Sequence, residues 1–238
     1  MIPGGDQRQI ANRLLEFDAD HQALAANRQH VRIVRQFAAQ SVQQAFALSE
    51  FTLLCPRVKL DVVLTNRRPD LLENGFDVAF RLGNMEQTNL ISRPLLAYPL
   101  TMCASPQYLA RRGNPQKPED LQHHDCLSFA YPAGDDWHSV EKVWRLIGPE
   151  GEVAVAVSGP MLINSSAGLH QAARTGMGIV LLPDALVEQD LKDGKLLAVM
   201  PDYLPPSRPM SLMYAQDRYR LPKLRSFVDF AMLRWGKH

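Results

Sequence analysis

A chain of 238 residues, 46% hydrophobic and 21% charged, is long enough to bury one large core or two smaller ones, and its composition excludes disordered, collagen-like and low-complexity classes. Lys plus Arg number 26 against 25 Asp plus Glu, a formal net charge of +1, so no overall basic excess marks a nucleic-acid-binding surface. No apolar run approaches the roughly 20 residues of a membrane span, and Met1-Ile2-Pro3-Gly4-Gly5-Asp6 lacks the charged-then-apolar order of a secretory signal, which points to a cytoplasmic protein.

In chain order, Ile10, Leu14, Leu15, Phe17, Leu24 and Ala25 recur at near-helical spacing and predict an exposed amphipathic helix over Gln9 to Asn27, a linker or a surface for another chain. Val31 to Val34 reads as a strand, Ser41 to Leu54 as a helix with Val42, Ala45, Phe46 and Leu48 on one side, and Lys59 to Leu64 as a second strand. Arg68 to Glu73 predicts a short helix stopped by Asn74-Gly75, and Phe76 to Arg81 a third strand. This βαβαβ order favours right-handed crossovers and a parallel sheet.

Strands at about Ile91 to Leu96 and Leu100 to Ala104 lead into Ser105-Pro106, a helix start with a serine cap and proline at the first position, closed by Gly113. A second α/β set follows. Cys126 to Ala130 is a strand, Val143 to Ile147 and Val153 to Val157 form a hairpin, and Asn164-Ser165-Ser166 opens a helix that Gly176 ends. Gly178 to Pro183 is a buried strand running into a helix at Asp184. A last strand, Met210 to Ala215, precedes a helix from Pro222 to Trp235 with a wide apolar face. Two α/β sets with a strand and helix left over imply two lobes joined by crossing strands, and a ligand cleft beyond the strands' carboxyl ends.

These phrases resemble the effector-binding domain of LysR-type transcriptional regulators. Val58 to Arg67, Asp70-Leu71-Leu72 and Gly75 to Gly83 look like the family's first lobe, and Cys103 to Leu109, Pro118 to Leu121 and His124 to Leu127 like its second. Gly176 to Pro183 and Lys223 to Phe230 are similar to its later segments, so the resemblance covers residues 31 to 235. It implies a fold of the type 2 periplasmic-binding-protein kind, two Rossmann-like lobes holding a small-molecule inducer, preceded by a linker helix and an N-terminal winged helix-turn-helix domain. On that reading residues 1–30 are the linker and dimerisation helix, 31–102 with 210–238 the first lobe, and 103–209 the second, with the DNA-reading domain absent from this sequence. The chain is then expected to sense an effector and form a dimer or tetramer, and to meet DNA only through that missing domain. The expected dimer sets the helices near Ser41 to Leu54 and Pro222 to Trp235 face to face.

The resemblance also nominates site residues. Small hydroxyl residues usually follow the family's first strand, but here that stretch is Arg35-Gln36-Phe37-Ala38-Ala39-Gln40-Ser41, so Ala38 stands where a hydroxyl is usual and Ser41 is the nearest replacement. Thr65 and Asn66 close the second strand at a ligand-facing turn, or satisfy their own backbone. Arg81, followed by Leu82-Gly83, ends the third strand and pairs with an anionic effector or with a local Asp. Ser128 and Phe129 end the first strand of the second lobe, Phe129 as pocket wall or as core. Asn164, Ser165 and Ser166 offer hydroxyls and helix amides to a carboxylate, or simply cap the helix.

Other chemistry is not signalled. Cys55, Cys103 and Cys126 are odd in number and far apart, and His123-His124-Asp125-Cys126 has no second cluster, so neither a disulfide framework nor a metal site is expected. There is no G-x-S-x-G, no phosphate-loop and no H-E-x-x-H motif, and Gly176-Met177-Gly178 sits after a helix and before a strand, the reverse of a dinucleotide-binding turn. No cofactor is expected, and an enzyme is disfavoured. The alternative function is a solute-binding protein of the same fold serving a transporter, which the absent signal and three unpaired cysteines disfavour.

Overall fold

In the computed structural model, which describes residues 29–36, 42–65, 70–82, 89–130 and 143–236, the apolar run at Val31 extends to a full strand, β1 (Gln29–Gln36). The predicted helix at Gln9 to Asn27 lies outside the described residues. The chain divides into two units, which exchange at residues 96–97 and 208–209.

The first unit is built on a five-stranded sheet. After β1 come helix α1 (Val42–Leu54), β2 (Val58–Thr65), β3 (Val78–Leu82) and β4 (Leu90–Tyr98), and the unit closes with β12 (Arg208–Ala215) and helix α5 (Pro222–Trp235). The order is β2-β1-β3-β12-β4, with β1 parallel to both neighbours (Gln36 opposite Thr65, Arg35 opposite Phe80) and β12 antiparallel to β3. Alternation sorts the side chains: Val31, Ile33, Phe80, Leu212 and Tyr214 enter a core with Phe51 and the α5 residues Leu224, Phe227 and Phe230. Val34, Ala79 and Met213 enter a smaller core on the other face with Leu71 and Phe76. Edge-on aromatic packing, Phe51 to Phe227 at 5.2 Å and Phe80 to Trp235 at 5.6 Å between ring centres, joins α1, the sheet and α5.

The helix predicted at Arg68 to Glu73 is not found; residues 71–75 are turns. Asp70 explains this, because its carboxylate accepts the Leu72 and Glu73 amides at 2.7 and 2.9 Å, an Asx-type capture that diverts the donors a helix would use. The third strand also begins two residues late. Asp77 is withdrawn instead into a buried network, accepting the Arg32 amide (2.9 Å) and facing Lys223 Nζ (3.1 Å) and Arg218 Nη1 (3.4 Å).

The second unit continues through β5 (Leu100–Ala104), α2 (Pro106–Arg112), β6 (Ser128–Phe129), the hairpin β7 (Val143–Gly148) and β8 (Gly151–Ala156), β9 (Leu162–Ile163), α3 (Ser166–Arg174), β10 (Val180–Pro183), α4 (Asp184–Lys192) and β11 (Leu197–Ala198). Strand β5 lies between β10 and β11, antiparallel to both. Of the strand expected over Cys126 to Ala130, only Ser128–Phe129 form β6, and Cys126 makes an isolated bridge to Ile179; the amides alternate between the segments on either side, as those of an interior strand do. Cys126, Ser128 and Ala130 donate to Ser158, Met161 and Ile163, while Leu127 donates to Ile179. Gly178 is required beside it: a Cβ there would lie 2.1 Å from the Asp125 carbonyl oxygen. Among the described residues no helix is long and apolar enough to cross a membrane.

Candidate effector site

Strands β6 and β9 run parallel, Ser128 opposite Leu162 and Phe129 opposite Ile163, and the Ala130 amide donates to the Ile163 carbonyl at 3.0 Å. Both strands therefore end at one level, and β9 passes through Asn164 directly into α3. Ser165 keeps an extended backbone (φ −131°, ψ 114°) while the next residue is helical, which makes it the cap; its hydroxyl accepts the Gly168 amide at 3.2 Å. Leu169, Ala172 and Ala173 bury the inner face of α3 with Val180 and Leu182. A side chain at position 168 would meet Ile163 Cδ1 at 2.7 Å, so Gly168 lets the strand approach the first turn of the helix closely. Sequence reasoning passed over this glycine, although a glycine in the first turn of a helix is itself a signal of close approach.

The two serines thus have different states. Ser165 already uses its hydroxyl; Ser166 is 7% exposed, and its hydroxyl has no hydrogen-bond partner among the described residues, nor have the amides of Ser166 and Ala167. No titratable residue occurs in 127–130 or 159–169, so what the start of α3 itself offers is helix amides and hydroxyls. Of the predicted site residues the structure thus gathers Ser128, Phe129, Asn164, Ser165 and Ser166 on the second unit. Phe129 packs partly buried against the core around Leu127 and Leu169.

On the first unit, Thr65 and Arg81 come to the carboxyl ends of β2 and β3, on either side of β1, and both are half-buried; Arg81 stands opposite Ser211 of β12. Ala38, Ser41, Asn66 and Gly83 lie outside the described residues.

Hydrogen bonds within the fold hold the motif His124-Asp125-Cys126. Buried Tyr108 accepts the Asp125 amide at 2.8 Å and lies 3.2 Å from His124 Nδ1, and burial, with Arg112 nearby, holds the His124 imidazole below its ordinary range. The Cys126 thiol donates to the Leu121 carbonyl at 3.6 Å, and burial pushes both the Cys103 and Cys126 thiols up to about 12.

A parallel-cored α/β unit followed by a second unit is an architecture of the type 2 periplasmic-binding-protein kind. The family described as LysR substrate binding domain matches residues 25–235, and the chain belongs to it. Similar curated proteins are the uncharacterized HTH-type transcriptional regulator YhjC of Escherichia coli K12, 33% identical over 189 residues (77% of this chain, 60% of that protein), and the HTH-type transcriptional regulator CrgA of Neisseria meningitidis serogroup B, 29% identical over 191 residues (80% and 62%). The chain therefore spans about six tenths of the length of these relatives. The solved regulatory domain of CrgA, described as a LysR-type transcriptional regulator, is 27% identical with a TM-score of 0.75 over 88% of this chain and all of that one. The relationship is to the effector-binding domains of LysR-type regulators and not to transporter solute-binding proteins, which sets the alternative function aside.

Proposed function

We propose that the chain is the effector-sensing and self-associating part of a transcriptional regulator that binds a small anionic metabolite, most simply a carboxylate. The observation that carries this reading is the start of α3, beside the ends of β6 and β9, where the buried Ser166 hydroxyl and two amides have no hydrogen-bond partner among the described residues. Ser128, Phe129, Asn164 and Ser166 are the proposed contacts on the second unit, and Thr65 and Arg81 those on the first. Four positions of the same proposal, Ala38, Ser41, Asn66 and Gly83, lie outside the described residues.

Self-association is supported by the outer edge of the first unit. Edge strand β2 exposes Val62, Val63 and Leu64, and Leu53 of α1 is 82% exposed. DNA contact in this reading belongs to a helix-turn-helix segment of a longer protein, the role is sensing without turnover, and the site of action is the cytoplasm. Native mass spectrometry of freshly purified protein tests the core of the proposal by revealing a co-purified small acid. Calorimetric titration of that acid into wild type, Ser166→Ala and Arg81→Ala should then show weaker binding in both variants, more so for Arg81→Ala, because charge-assisted hydrogen bonds are roughly twice as strong as neutral ones. Unchanged affinity in both would remove these residues from the site. Light scattering that finds only monomer at high concentration would overturn self-association.

A further inference from the structure

The second unit contains a charged cluster that the proposed anion site does not use. His170 and Arg174 follow Ser166 at intervals of four residues on α3, which places all three along one face of the helix. Both meet Asp190 of α4, a buried carboxylate: His170 Nε2 lies 2.6 Å and Arg174 Nε 3.4 Å from the same oxygen, Oδ2. An ionised carboxylate only accepts, so where Asp190 is ionised Nε2 is the donor of this contact, and a second proton at Nδ1 would give the ring its charge.

Among the described residues, the surroundings of the ring leave that charge to a few groups. Strands β6, β9 and β10, which pack on α3, contribute no titratable side chain, and β5 contributes only Cys103, whose thiol burial keeps protonated. From α3 itself Arg174 opposes a charge on His170. From α4 and the turn after it Asp190 favours one, while Asp193 feels Arg174 and is bonded to Lys195 and Gln189, Glu188 pairs with Lys192, and Asp184 bonds Thr101.

We propose that His170 is a positioning residue that makes anion binding at the start of α3 proton-linked. This rests on the reading of that helix start as the anion site. When Nδ1 gains its proton, the bond to Asp190 becomes charge-assisted on both sides and α3 is held more firmly to α4. The same proton puts a positive charge on α3 one turn below Ser166, about 6 Å along the axis, where it adds to the potential of the helix start. An anion bound there favours the protonated ring in return, since the coupling is reciprocal. Affinity for a small carboxylate should therefore be about threefold to tenfold higher at pH 6 than at pH 8, the size expected for a partly screened charge pair about 10 Å apart.

The test uses the intact, isotopically labelled chain with acetate as the probe. Amide signals of Ser166, Ala167 and Gly168 are followed by NMR during acetate titrations at pH 6 and pH 8, in wild type, H170Q and D190N. The expected result is tighter acetate binding at pH 6 in wild type and equal binding at the two pH values in H170Q, with D190N also losing most of the difference. Acetate that binds wild type equally at both pH values overturns this proposal alone, as does an H170Q variant that keeps the full pH dependence. Acetate that moves none of these amides at either pH overturns the anion reading of α3 and this proposal with it. The wild-type comparison stands without any variant, so loss of folding in H170Q or D190N leaves the proposal testable.

Discussion

Adjacent serines at the start of α3 should respond to the same substitution in opposite ways. The Ser165 hydroxyl accepts the Gly168 amide, so Ser165→Ala removes a helix cap, and caps of this kind are worth about 1 kcal/mol, with a range of roughly 0.5–2. The Ser166 hydroxyl is buried and has no partner among the described residues, so the folded protein loses its hydration without a compensating bond. Hydroxyls buried in this way cost about 1–3 kcal/mol by mutational measures, and alanine fills nearly the same volume. Ser166→Ala is therefore expected to be neutral or to stabilise the fold by up to about 2 kcal/mol, while weakening binding of the effector by a modest factor, equivalent to about 0.5–1.5 kcal/mol. Urea unfolding followed by circular dichroism measures the first quantity in both variants, and calorimetry with the identified effector the second. Melting temperature gives an independent check, moving by roughly 2–4 °C per kcal/mol for a chain of this size. A Ser166→Ala protein destabilised by more than about 1 kcal/mol would show that the hydroxyl has a structural partner and would refute the reasoning.

Asp77→Ala should be among the more damaging single changes in the first unit, at roughly 2–4 kcal/mol, because it strands the Arg32 amide together with Lys223 and Arg218; a loss below about 1 kcal/mol in urea would contradict the network. His124 is held below its ordinary range chiefly by burial, so its neutral form is the one the fold favours. Its contribution is complete above the unfolded histidine value of about 6.5 and is lost as pH falls through the folded one. The urea midpoint should accordingly drop between pH 7.5 and 5.5, and H124Q should shrink that drop; an unchanged pH dependence in H124Q would count against it. Cys103 and Cys126, buried with thiols pushed up to about 12, should resist iodoacetamide at pH 8 while half-buried Cys55 reacts, as read by mass spectrometry of digests. Labelling of Cys103 at the rate of Cys55 would contradict the burial.

Elements whose cause is local were legible in the residues. Ser105-Pro106 with Gly113, and Ser165 after Asn164, carry their own start and stop chemistry, and the structure places caps at both sites. The turn at Asp70 was less legible, since its apolar neighbours Leu71 and Leu72 fit a helix as well as a turn until the carboxylate captures the next amides. The short β6 was misjudged for another reason. A five-residue apolar run looks like one strand, but how much of it pairs in a continuous ladder depends on segments more than thirty residues later in the chain.

The sequence by itself determined the α/β class, the order of the longer strands and helices, the family and the neutral, hydroxyl-rich character of 164–166, because each is carried by residue types in short local stretches. It could not separate Ser165 from Ser166, which are chemically identical until the helix begins at one of them and leaves the other's hydroxyl unspent. Nor could it pair His170 and Arg174 with Asp190, or Asp77 with Lys223, partners that lie 16 to 146 residues apart. Tertiary structure decided these, because burial removes water as the competing partner, and only the folded chain specifies which distant group takes its place.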